Sequence, residues 1–464
     1  MARRQPNQRL TLLLNEAQWN PAELARAVNA LGTAQGMSLR YDRTSVAHWL
    51  TGSRPRPPVP DLVAAAFSRR NERLVTAEET GLALPQRADD DAPLAAGAEA
   101  DDAAHRLTVV ARTDADPSKR SQLTGTAYDL VVLEAPAWNP GRPPHARPRP
   151  SGRRVSAEEV EALREMCQVF ADLMERHGGA HARSALATYL TDDTSRLLTA
   201  PAEPSLRRQA FTCAAQLTHI LARMTMDAGY PSLAQYYFVT ALGLASEADD
   251  RRLYSITLRA MSLQALRLGF HEKALQLADT ALDAGASTDP STLAFLLSQR
   301  ALTHAHTGNP RRAAADLATA DDQLDRATQR AGPFGSYPRA GLDYQRGQTL
   351  LALGDLERAA LSLASSASAR GEGRRRSNAL TNARLAATLL SLGRLEESCI
   401  HWNIFLDHYP SLCLVPADDA LVHMRRSLYR YRNQPHAAAV LVRARSVIRA
   451  SPAPAKGRRT GPAR

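Results

Sequence analysis

Five times between residues 229 and 398 a glycine is followed five positions later by a small residue that opens an apolar helical run. The pairs are Gly229/Ala234, Gly269/Ala274, Gly308/Ala313, Gly354/Ala359 and Gly393/Ser398, and successive glycines lie 40, 39, 46 and 39 residues apart. Four and seven positions beyond each small residue come Phe238/Ala241, Ala278/Ala281, Leu317/Ala320, Leu363/Ser366 and Trp402/Phe405. That spacing gathers them on one helical face. The glycine lets the chain turn between two helices, and the small residue lets those helices approach closely. A chain so constrained folds as stacked helical hairpins, and five exceed the three or so such a stack needs for stability.

Two of these segments, LGFHEKALQLADTAL (268–282) and LGDLERAALSLASSA (353–367), resemble tetratricopeptide repeats. The resemblance implies an α-solenoid over 155–450, with Leu163 to Leu198 supplying a leading helical pair. The period departs from that family's roughly 34 residues. Longer helices or loops are implied, for example at Arg330–Pro338 with its Gly332, Pro333 and Gly335. Nine or ten residues before each of four repeat glycines stand Arg259, Gln299, Gln345 and Arg384. Polar groups at matched places in successive repeats can line a groove for a peptide, protein or small-molecule effector. They equally suit the solvated face of amphipathic helices, in which case the repeats serve only as a dimerisation scaffold.

The N-terminal unit, residues 7–73, reads as four short helices. Leu10, Leu12, Leu13 and Leu14 suggest the first, and Asn20-Pro21 starts a second with Leu24, Ala25, Val28 and Leu31 as its buried stripe. Asp42 is placed to cap a third, Arg43 to Thr51, in which Val46, Trp49 and Leu50 form the apolar face. Gly52 stops it, and Pro55, Pro57 and Pro58 forbid its continuation. A fourth, Asp61 to Arg70, is expected to be capped by Asp61. The order ELARAVN (23–29) then SVAHWLTGSRPRP (45–57) resembles the phage-repressor-like (Xre-type) helix-turn-helix family. The resemblance implies that Arg43, Thr44, Ser45 and His48 face base edges in the major groove and that Arg54 and Arg56 meet phosphates. The Gly32–Tyr41 connection is wider than that family's tight turn.

Composition agrees with an all-α chain, since hydrophobic residues are 44% but aromatics only 5%. The formal charge of +11 permits a polyanionic partner, but all but three of the 58 basic residues are arginine, a bias that fits a GC-rich genome. The distribution says more: residues 1–73 hold 11 arginines against 5 acids. Between the two units, residues 74–154 read as a largely disordered linker, acidic and alanine-rich over 85–106 and rich in Pro and Arg from Pro136 to Arg154. Within it Leu107–Arg112 and Tyr128–Leu133 suggest a short β-hairpin, and residues 451–464 read as a disordered basic tail.

Cys167, Cys213, Cys399 and Cys413 are scattered without a C-x-x-C pair, and the histidines show no metal-ligand spacing. No G-x-S-x-G, P-loop or dinucleotide motif occurs, and no apolar run approaches a membrane span. The expectation is therefore a cytoplasmic protein with no enzymatic activity, cofactor, metal or membrane partner. A helix-turn-helix head, a flexible middle and a tetratricopeptide array look like the regulators of differentiation and antibiotic production in Streptomyces and related actinobacteria. The segment AQYYFVTALGLASEADDRRLYSITLRAMSLQALRLG (234–269) is similar to that group's characteristic region. The layout also resembles peptide-responsive regulators of Gram-positive bacteria. These resemblances imply a homodimeric transcriptional regulator that binds double-stranded DNA. The alternative is an adaptor whose repeats assemble proteins without DNA binding.

Overall fold

All five repeat glycines stand at positive φ, between 75° and 87°, where a side chain would strain the backbone. Each closes a helix in the same way. The amide after the glycine donates to the carbonyl five residues back: Tyr230 to Thr225, Phe270 to Ala265, Asn309 to His304, Asp355 to Leu350 and Arg394 to Leu389. This Schellman turn satisfies carbonyls that the helix end leaves orphaned, and it reverses the chain. The small residue that follows is buried in every repeat.

The computed structural model describes residues 6–34, 39–56, 58–71, 75, 77, 79–82, 103–116, 128, 138, 154–328, 332–371 and 373–450. Among them the regular structure is all helical. The head comprises α1 (Gln8–Glu16), α2 (Pro21–Ala34), α3 (Arg43–Leu50) and α4 (Val59–Asn71). The helix starts expected at Asn20 and Asp42 each carry a side-chain cap, Asn20 accepting from Ala22 and Glu23 and Asp42 from Ser45, and Asn7 caps α1 by accepting from the Leu10 amide. The fourth helix begins at Val59, ahead of the expected Asp61 cap. Pro60 is tolerated in a first turn, and Asp61 there still faces the positive end of the helix dipole. The head core gathers Leu10, Leu24, Val28, Val46, Trp49, Leu62 and Phe67, and it extends past residue 73 to Val75 and Leu82.

The strand expected at Leu107–Arg112 is instead part of α5 (Ala103–Ala115). Thr108, Val109 and Val110 suggested a strand, but Ala103, Ala104, Leu107, Val110 and Ala111 lie at helical spacing and are all buried. Tertiary burial outweighs the weak local preference of β-branched residues. The Thr108 and Thr113 hydroxyls donate to the carbonyls of Ala104 and Val109, as threonines inside helices do. Tyr128 packs face to face with Phe270, 5.6 Å between ring centroids. The rest of the expected second strand lies outside the described residues, as do 83–102, 139–153 and the tail 451–464.

The remaining helices run α6 (Ala157–His177), α7 (Gly179–Tyr189), α8 (Ser195–Thr199), then six pairs. The pairs are α9 (Pro204–Asp227) with α10 (Pro231–Glu247), α11 (Arg251–Arg267) with α12 (His271–Gly285), α13 (Pro290–His306) with α14 (Pro310–Asp325), α15 (Arg339–Ala352) with α16 (Leu356–Ser368), α17 (Arg375–Ser391) with α18 (Leu395–His408), and α19 (Val415–Leu428) with α20 (Pro435–Ala450). Helices pack within each pair, and each pair packs on the next. The sixth pair turns without a glycine, through a 3-10 segment at Tyr429–Tyr431.

Two buried ion pairs fix this arrangement. Arg183 on α7 grips Asp114 on α5 through both nitrogens, at 2.6 and 3.0 Å, and the Tyr237 hydroxyl of α10 donates to the same carboxylate at 2.7 Å. Arg376 on α17 grips Asp227 on α9 at 2.6 and 2.8 Å, across 149 residues of chain. The second pair curls the stack back on itself, and Cys413 extends the closure by exchanging backbone hydrogen bonds with His177 and Ala180.

Candidate nucleic-acid interface and interior cavity

Helix α3 is positioned from below. Val46 and Trp49 are buried beneath it, and Trp49 meets Tyr41 edge-on at 5.0 Å. The Asn29 side chain of α2 exchanges two hydrogen bonds with the Tyr41 backbone, 2.7 and 2.9 Å. This clamp anchors the distal end of the wide connection just before α3 starts, so the approach of α3 to α2 does not depend on a tight turn.

The outer surface of α3 carries Arg43, Thr44 and His48, all exposed, and Arg54 and Arg56 are exposed on the segment that follows. Ser45 differs from the expectation. Its hydroxyl is held in a reciprocal capping box with Asp42, donating to the carboxylate at 2.7 Å. It is committed to the helix end rather than to a base edge. Those same Ser45 hydrogen bonds hold the Asp42 carboxyl below its ordinary range. A charged carboxylate therefore stands at the mouth of α3, where a phosphate would otherwise be drawn to the helix N-terminus.

The four matched repeat residues have separate fates. Gln299 is fully buried and bridges repeats, donating to Ser262 at 3.2 Å and accepting from Gln345 at 3.1 Å. Ser262 continues the chain to the Ala274 carbonyl, so this ladder ties three pairs together. Gln345 and Arg259 also border an interior cavity of about 270 Å³. Arg384 is exposed and does not line it, although its charge reaches Arg267.

That cavity is walled by the first helices of five pairs and by the loop after Gly332. The long 46-residue interval between Gly308 and Gly354 has its structural reason here. Its extra residues fold inward: Phe334 meets His219 edge-on at 5.1 Å, Tyr337 packs on Phe295 at 4.9 Å, and the Tyr337 amide donates to Ser291 at 2.7 Å. Arg252 donates to the Phe334 carbonyl. Sequence spacing missed Arg223, Arg267, Arg370, Arg374 and Arg376, which share the cavity with Arg259. Two helical turns separate Arg259 from Arg267, but Arg370 and Arg374 come from an inter-repeat turn that no glycine register locates.

The head meets the repeats where α11 ends. The Arg69 guanidinium of α4 lies over the Phe270 ring, 4.8 Å from its centroid, on the face of a turn whose preceding helix carries Arg259 and Arg267 into the cavity. Among the described residues no helix is long and apolar enough to cross a membrane. No curated protein matches the chain. Residues 10–83 match the family model described as the SP15 N-terminal domain, a span that begins in α1 and ends just past the buried Leu82 of the head core.

Proposed function

We propose that the chain is a sequence-specific DNA-binding transcriptional regulator, with α2 and α3 acting as a helix-turn-helix and the helix pairs as an α-solenoid that receives an effector. The observation that carries the reading is the surface of α3. Its apolar side is anchored on Trp49 and Val46, while Arg43, Thr44 and His48 stand free above it and Arg54 and Arg56 flank them. In this reading α3 enters the major groove, Arg43 reads a guanine edge, and Arg54 and Arg56 hold phosphates. A single short helix reads few base pairs, so the regulator works as a homodimer on two half-sites, which sets their spacing.

A second reading is favoured by one observation. The Asp42 carboxylate at the mouth of α3 repels phosphate, which suits a head that binds protein and a chain that serves as an adaptor. Enrichment from a pool of random duplexes by the full chain separates the two. The regulator reading predicts a recurring motif, repeated with two-fold symmetry. Recovery of unenriched duplexes after several rounds sinks it and leaves the adaptor.

A further inference from the structure

Seven arginines border the interior cavity, and the only carboxylate among its lining residues is Glu175. Two of the seven are accounted for: Arg376 is paired with Asp227 and Arg252 with Asp289. The other five, Arg223, Arg259, Arg267, Arg370 and Arg374, have no carboxylate in ion-pair contact among the described residues. Arg259 is buried and bonded only to the Phe295 carbonyl, at 3.0 Å, with its guanidinium stacked 3.6 Å from the Phe295 ring. Arg370 lies over Tyr344 and leaves its Nε buried without a partner. Burial, reinforced by the neighbouring Arg223 and Arg267, pulls Arg259 down to about 10. Buried charges in folded proteins are ordinarily paired, because desolvation is costly without a counter-charge. Of the five only Arg259 is buried; Arg223 and Arg370 are half-buried, and Arg267 and Arg374 are exposed. Asp227 and Glu175 act on Arg223 from beyond ion-pair distance, and Asp227 on Arg267. Five guanidiniums against these two shared carboxylates leave an excess of positive charge converging on one recess, which suits an anion from outside the chain.

The chemistry of that anion follows from size and geometry. Arginine forks match phosphate oxygens bidentately, and five of them balance several negative charges at close quarters. A single carboxylate cannot. About 270 Å³ is close to the lower end for small-molecule sites and too little to take in a duplex. Tyr337, Tyr344 and Phe334 form an aromatic wall beside the charges, and Gln348 supplies an amide.

We propose that this cavity binds a compact, multiply phosphorylated small molecule, with the unpaired arginines on its phosphates and the tyrosine wall against its organic part. This deepens the effector half of the function proposed above. The site is tested without DNA, so failure of DNA recognition leaves it standing, and its own failure leaves DNA recognition untouched.

Isothermal titration calorimetry of the full chain, free of magnesium, would use inorganic pyrophosphate and adenosine triphosphate, with citrate as a carboxylate of comparable charge. One saturable site per chain is expected for both phosphates, with citrate at least tenfold weaker. The Arg223→Ala, Arg267→Ala double variant should lose at least tenfold in affinity, while the exposed Arg311→Ala control should not change. Without ligand that double variant should keep the helical content of wild type, which separates lost affinity from lost fold. In wild type, but not in the variant, pyrophosphate should raise the melting temperature. Arg374→Ala, on an exposed turn, gives a second reading that does not disturb the core and should weaken binding at least threefold. Absence of binding by both phosphates at millimolar concentration overturns the proposal. So does affinity retained in the arginine variants, or citrate binding as tightly as pyrophosphate. Triphosphate tighter than pyrophosphate supports the tyrosine wall, and equal affinity refutes that part.

Discussion

Asp114 carries a charge into the core because Arg183 meets it with both nitrogens and Tyr237 donates a third hydrogen bond. Replacing it with alanine strands the Arg183 guanidinium, which is itself almost fully buried. Breaking a buried pair in this way costs about 3–5 kcal/mol. Urea unfolding of Asp114→Ala should show that loss, with α5 becoming the first segment cut by protease. His219 presents the opposite case, a buried group held neutral. It contacts Thr257 at 3.0 Å and two aromatic rings, and burial, with Arg223 and Arg259 adding repulsion, keeps its pKa well below 6.5. The unfolded chain protonates this histidine near pH 6.5 while the folded chain does not. Its contribution to stability is therefore intact above that pH and is lost as pH falls below it toward the folded value. Melting temperature should decline between pH 7 and pH 5, and the decline should be smaller in His219→Asn.

At the scale of elements, the repeat glycines can be tested one at a time. Gly354 has φ of 82° and open space where a Cβ would stand, so alanine there meets no clash. The cost is that of the left-handed backbone alone, about 1–2 kcal/mol. Thermal unfolding of Gly354→Ala should show that loss without change in helical content. Such turns were legible in the sequence because each needs a residue type that few others replace. The capped starts of α2 and α3 were legible for the same reason. Helix α5 was not, since three consecutive Thr and Val residues favour a strand locally and only the packing of Leu107 and Val110 decides against it. The sixth pair was missed because its turn uses no glycine. Arg259 and Gln345 were found by register, but register could not tell that Gln299 is consumed by a ladder or that Arg384 stays exposed beyond the cavity lining. Arg223, Arg370 and Arg374 reach the cavity only because the stack curls, and no local pattern encodes that curvature.

For the molecule as a whole, the 11 arginines of residues 1–73 and the arginines of the cavity are two separate accumulations of positive charge. Among the described residues Arg43, Arg54 and Arg56 of the head are exposed, while the second group lines a half-open recess beside the Arg376–Asp227 pair. The head touches the helix pairs at the end of α11, where Arg69 lies over Phe270. In the proposed regulator the head charge meets DNA, with base reading falling to Arg43 and phosphate binding to Arg54 and Arg56. Mobility-shift titration of the enriched duplex and of scrambled duplex, at several salt concentrations, tests that division directly. Arg43→Ala should bind the enriched duplex about 1–3 kcal/mol more weakly while leaving scrambled duplex nearly unchanged. Arg54→Ala should weaken both alike and reduce the slope of log affinity against log salt by about 1. Equal tight binding of wild type and both variants, or no preference of wild type for the enriched duplex, would contradict the account.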